Sequence, residues 1–159
     1  MTKCGNCRNI LDLPDSTSDY SPEGIALTIE RLLSSMGYTL ELARIGHNHW
    51  EVERGSASAN ITYYEKNGLI IGDAYICKLP DQSNTALYEY LLRQNYEMEN
   101  LTFSVKGDDI ILSLLIYDRY LNEQTGTELL TNLLEKADHF DNILVEQYQC
   151  LWASSRKLT

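Results

Sequence analysis

Between residues 25 and 36 apolar side chains recur every three or four positions, and soon afterwards they recur at every second one. Ile25, Ile29, Leu32, Leu33 and Met36 share one helical face. Ser21 offers a cap, Pro22 fits the first helical position, Glu23 complements the dipole and Gly37 permits a left-handed stop. Alternation then predicts four strands. Tyr38, Leu40 and Leu42 mark the first, and Trp50 and Val52 mark the second between Glu51 and Glu53. Ala59, Ile61 and Tyr63 mark the third, and Leu69 to Leu79 form a long fourth. Asn67-Gly68 suits a hairpin turn because both residues tolerate positive φ. Links this short imply an antiparallel meander.

Pro80 ends the fourth strand. A helix over about 83–94 carries Leu87, Leu91 and Leu92 as its apolar stripe. Leu101, Phe103 and Val105 alternate next, Gly107-Asp108 turns the chain, and Ile110, Leu112, Leu114 and Ile116 alternate again. Thr125-Gly126-Thr127-Glu128 matches a capping box and opens the longest helix. Its stripe runs Leu129, Leu130, Leu133, Leu134, Ala137, Phe140, Leu144, Tyr148, Leu151 and Trp152. The order is α-ββββ-α-ββ-α, an α+β fold of two layers with helices collected on one face of an antiparallel sheet. Residues 1–20 lack periodicity and read as a flexible arm, 21–153 as one domain, and 154–159 as a tail.

At 159 residues the chain suits one domain, and 43% hydrophobic residues supply its core. The formal charge of −10 argues against nucleic acid and against anionic membranes, since phosphate binding is driven by Lys and Arg, which total 13. No stretch approaches a transmembrane helix, and Met1-Thr2-Lys3-Cys4 lacks a signal-peptide core, so a cytoplasmic location is expected. Cys4, Cys7, Cys77 and Cys150 are then thiols rather than a disulfide frame.

Cys4-Gly5-Asn6-Cys7 has the spacing of half a tetrahedral zinc site. Completing it needs Cys77, Cys150, His47 or His49, and no second C-x-x-C is present. An incidental pair is the first reading and a zinc module the alternative; no cofactor is expected. His47-Asn48-His49 reads as an exposed polar turn and His139 as a solvated residue. Asp138 and Asp141 are helical neighbours that read as a solvated face or as a contact to a nearby loop. Arg54-Gly55-Ser56-Ala57 is no nucleophile elbow, and no phosphate-binding glycine motif occurs. No residue set supports catalysis. Among 11 tyrosines and two tryptophans, Trp50, Tyr63 and Tyr90 are expected at a partner surface.

Several segments together resemble the YbjN-like and type III secretion chaperone-like (CesT-type) superfamily. Trp50 precedes Arg54-Gly55-Ser56-Ala57, and Leu91-Leu92-Arg93-Gln94-Asn95 resembles the end of that family's middle helix. Phe103, the Gly107-Asp108 turn and a long apolar strand match its final hairpin. Ala137-Asp138-His139-Phe140-Asp141 with Leu144 resembles its A-D-x-x-D-x-x-L pattern. The resemblance covers about residues 22–150. It implies a bacterial, non-enzymatic, chaperone-like or regulatory homodimer that binds a segment of another protein. Arg54 is expected at the partner surface as well. The Cys4/Cys7 arm has no counterpart in the pattern.

Overall fold

The computed structural model describes residues 23–82 and 84–153. Helix α1 spans Gly24–Ser35, and a short helix α2 spans Leu40–Ala43. Strands β1 (Arg44–Gly46), β2 (His49–Arg54), β3 (Ala57–Tyr64) and β4 (Leu69–Lys78) follow. Helix α3 (Thr85–Glu97) leads to β5 (Leu101–Lys106) and β6 (Asp109–Tyr117). A 3-10 turn at Asp118–Tyr120 precedes α4 (Glu123–Tyr148), and β7 (Leu151–Trp152) follows it. Among the described residues the sheet runs β1-β2-β3-β4-β6-β5, all antiparallel, and β7 pairs with the end of β4.

The helices lie on one face of this sheet, as the alternating pattern predicts. Trp50, Val52, Ala59, Ile61, Ile70, Ala74, Ile76, Ile110, Leu112 and Leu114 point into the core. Leu130, Leu133, Leu134, Ala137, Phe140 and Leu144 of α4 meet them. α1 crosses α4 at Gly126, where an added Cβ would lie 2.6 Å from Leu32 Cδ2 and 2.9 Å from Leu121 Cδ1. Glycine there lets the two helices approach closely enough to share Leu32.

Four local expectations are corrected. Tyr38, Leu40 and Leu42 do not form a strand. The Leu42 and Ala43 amides donate to the Thr39 carbonyl at 3.0 and 2.9 Å, which closes a helical turn and leaves Leu42 exposed. The sheet begins instead at Arg44. The long helix is capped by Asn122, whose Oδ1 accepts from the Thr125 amide at 2.8 Å, so Thr125 lies inside the first turn. That helix stops at Gln149, which takes φ 59°. Leu151 and Trp152 therefore leave the helical stripe, join β4 as a strand and stay exposed. Leu92 lies outside the buried stripe of α3, which is Leu87 and Leu91. The Ser21 and Pro22 cap lies outside the described residues.

Candidate partner-binding site

Two segments far apart in sequence meet at the β2–β3 turn. Gly55 takes φ +62°, which any side chain would strain, and a Cβ there would lie 3.2 Å from Asp138 Oδ1. The tight turn thus delivers Ser56 to α4. Its amide donates to Asp138 Oδ1 at 3.3 Å, and its hydroxyl oxygen lies 2.6 Å from Asp138 Oδ1 and 2.7 Å from Asp141 Oδ2. Arg54 reaches Glu135 at 3.3 Å across exposed surface. The Arg54-Gly55-Ser56-Ala57 and Ala137-Asp138-His139-Phe140-Asp141 segments are therefore the two halves of one clasp that fastens the hairpin to the helix.

The two carboxyls differ. The Ser56 bonds hold Asp138 below its ordinary range, whereas burial pushes Asp141 up. Asp141 is buried, and its Oδ1 has no hydrogen-bond partner among the described residues. A hydroxyl carries one proton, so both contacts of Ser56 are hydrogen bonds at once only if one carboxyl is protonated. Burial raises Asp141, so of the two it is the carboxyl that keeps a proton to the higher pH.

Trp50 is corrected from surface contact to core: it is 0% exposed. Its indole Nε1 donates to Glu30 Oε2 at 2.8 Å, and Arg44 binds the same buried carboxylate through Nε, at 2.8 Å, and Nη2. A hydrophobic ring with one donor fits a core that holds a carboxylate. Tyr63 is half-buried and donates to Asp118 Oδ2 at 2.9 Å. Burial, then the Asp118 bond and charge, pushes its hydroxyl up to about 12. Tyr90 is half-buried, stacked on Tyr148 at 4.9 Å and edge-on to Phe140 at 6.4 Å. These contacts fix α3 to α4 rather than leave Tyr90 free. Asn48 is buried, not an open turn residue, and donates to Glu65 at 2.6 Å. His139 is exposed, as expected.

Cys4 and Cys7 lie outside the described residues. Among those that are described, no group of three or more His, Cys, Asp or Glu side chains could hold a metal ion, so His47, His49, Cys77 and Cys150 do not come together as one. No helix there is long and apolar enough to cross a membrane.

The exposed apolar surface lies elsewhere. On α3, Tyr88, Leu92 and Tyr96 follow each other at i, i+4 and i+8 and are 39%, 69% and 87% exposed. They line a groove of about 550 Å³ with Thr85, Glu89, Arg93 and Glu97. A second groove of about 220 Å³ continues past Leu92 and Asn95 onto Phe103 and Val105 of β5, at the sheet edge. Asn95 holds this junction: its Oδ1 accepts from the Phe103 amide at 2.6 Å and its Nδ2 donates to the Phe103 carbonyl. A second apolar strip lies on the sheet face away from the core. There Ile71 sits between Thr62 and Leu115, and Leu69 sits between Tyr64 and Tyr117. Tyr64, Leu115 and Tyr117 are exposed. The helical periodicity of residues 88, 92 and 96 was readable as a second stripe on α3, but only packing shows which stripe is covered.

No family model matches the chain, and no curated protein is detectably similar to it in sequence. Solved structures are similar in fold. The Yersinia pestis type III secretion chaperone SycH, solved in complex with a stable fragment of YscM2, gives a TM-score of 0.55 at 17% identity, over 73% of this chain and 98% of that one. The fold is that of the type III secretion chaperones and YbjN. YbjN from E. coli, described as a putative transcription regulator, gives 0.57 at 11% identity, over 81% of this chain and 96% of that one. The ExoU–SpcU complex of the Pseudomonas aeruginosa type III secretion system gives 0.57 at 13%, over 72% and 95%. The resemblance drawn from the four sequence segments thus agrees with the three-dimensional comparison.

Proposed function

We propose that this chain is a non-enzymatic protein-binding domain that works as a homodimer and covers a segment of another protein, in a chaperone-like or regulatory role. The row Tyr88, Leu92 and Tyr96 carries the reading, because three large apolar side chains in helical register on a charged protein lose free energy when covered. A second copy is the occupant that fits α3. Glu89, Arg93 and Glu97 flank the row; Arg93 holds Glu89 of its own helix at 2.6 Å, and a two-fold pairing across the row would let it share the other copy's acidic residues as well. The strip of Ile71, Leu115 and Tyr117 remains for the partner segment, and the net charge of −10 favours a basic one. Several of the similar structures hold a chaperone together with the protein it binds, which supports the same reading.

Light scattering at graded concentration tests the dimer. The native chain is expected to give twice the monomer mass, and Leu92→Arg the monomer mass with unchanged circular dichroism, because Leu92 is exposed and contributes little to the core. A native chain that is monomeric at every concentration contradicts this assignment of α3. Leu115→Arg is expected to keep the dimer and to weaken partner binding at least tenfold.

A further inference from the structure

The clasp and the proposed surfaces leave one reactive pair unused. Cys77 lies near the end of β4, and Cys150 lies directly before β7. Both are free thiols and both are buried, at 1% and 3% exposure. Cys77 pairs with Trp152 and Lys78 with Leu151, so Cys150 stands diagonally from Cys77 across the β4–β7 ladder. The register and the burial of both thiols set them beside each other, and each perturbs the other. Their contact lowers Cys150 and, with burial, raises Cys77. Cys150 is thus the thiol suited to attack first, and Cys77 is the neighbour left to resolve the mixed disulfide. Access is local. β7 has two residues, both more than 40% exposed, and such a short terminal strand opens without unfolding the core.

We propose that Cys77 and Cys150 are a redox site whose oxidation to an intramolecular disulfide fastens β7 to β4. The co-reactant is a small disulfide. The Cys150 thiolate attacks one of its sulfurs and expels the first small thiolate, giving a mixed disulfide on Cys150. The Cys77 thiolate then attacks the Cys150 sulfur and expels the second. Two cysteine protons pass to the two released thiolates. The protein loses two hydrogens and two electrons, and one small disulfide becomes two thiols. The bridge closes a loop that holds α3, β5, β6 and α4. Long loops lose the most unfolded-state entropy when closed, so the oxidised chain should be the more stable form.

The experiment treats the full chain with oxidised glutathione, traps remaining thiols under denaturing conditions and maps the linked peptides. A parallel sample carries Cys4→Ser and Cys7→Ser, which removes the arm's thiols. The expected result in both is a peptide pair joined at Cys77 and Cys150, with a thermal midpoint raised by about 10 °C that returns on reduction. A Cys150→Ala chain should show no midpoint shift under the same treatment. Stable glutathione adducts at Cys77 or Cys150, links between chains, or a bridge confined to Cys4 and Cys7 would each overturn the proposal. An unchanged midpoint in the oxidised chain would overturn the fastening of β7.

Discussion

Two buried carboxyls are held in different ways, and their surroundings decide what each substitution does. Glu30 has Arg44 and Trp50 as donors, so its charge is matched. Removing the guanidinium leaves a carboxylate in the core with one indole bond. Arg44→Ala should therefore cost about 3 kcal/mol in urea unfolding, while Trp50→Phe, which loses one bond and leaves a small cavity where the pyrrole ring was, should cost about 2 kcal/mol. A smaller loss for Arg44→Ala than for Trp50→Phe would show that water compensates Glu30. Asp141 has no cation beside it among the described residues, and burial favours its protonated form. Its carboxyl is raised by burial above the ordinary 3.8, so the folded chain binds a proton that the unfolded chain has released. That contribution is complete below about pH 3.8 and is lost as pH rises through the native value. Asp138 works in the opposite sense: its carboxyl is lowered, so its contribution is present above about pH 3.8 and is lost as pH falls. Asp141→Asn keeps Asp138 and removes the first effect alone. The variant's stability relative to the native chain should rise as the pH climbs above about 4. A difference that stays flat with pH would show that Asp141 is ionised throughout.

At the scale of elements, the strands and long helices were readable because their periodicity follows from burying one face. The β4 and β6 patterns appear in the sheet nearly as the alternation predicts, from Leu69 to Lys78 and from Asp109 to Tyr117. Short segments were less readable. Tyr38, Leu40 and Leu42 alternate as a strand would, yet the Tyr38 amide closes the end of α1 on Leu33, and a helical turn over Leu40–Ala43 leaves Leu42 in solvent. Asn122 and Thr125 both suit a cap, and three residues separate them. The clasp was legible as two motifs but not as one site, since 82 positions separate Ser56 from Asp138. Gly126 shows packing deciding against propensity. Alanine there gains about 1 kcal/mol of helix propensity. Its Cβ, however, would stand 2.6 Å from Leu32 and 2.9 Å from Leu121, an overpacking that costs about 1–3 kcal/mol. Gly126→Ala should thus lower stability by about 1 kcal/mol, and a more stable variant would show that Leu32 moves aside freely.

The whole molecule places its helices, its clasp and its core carboxylates so that one sheet face is closed and the apolar rows on α3 and on the other face stay outward. Tyr63, Tyr90 and Trp50 were expected among the contacts, but aromatic residues serve cores and surfaces alike, and composition does not separate the two uses. Trp50 went to the core, and Tyr88 and Tyr96 stand on the exposed row instead. On the proposed function these outward rows are surfaces that another protein covers. The most direct measurement is affinity capture from the native cell with the intact chain beside Leu115→Arg, followed by reconstitution of any recovered protein from purified components. The expected result is a partner that forms a complex of fixed stoichiometry with the native chain and is lost with the variant. Equal recovery with both chains, or recovery of the protein alone, would contradict it.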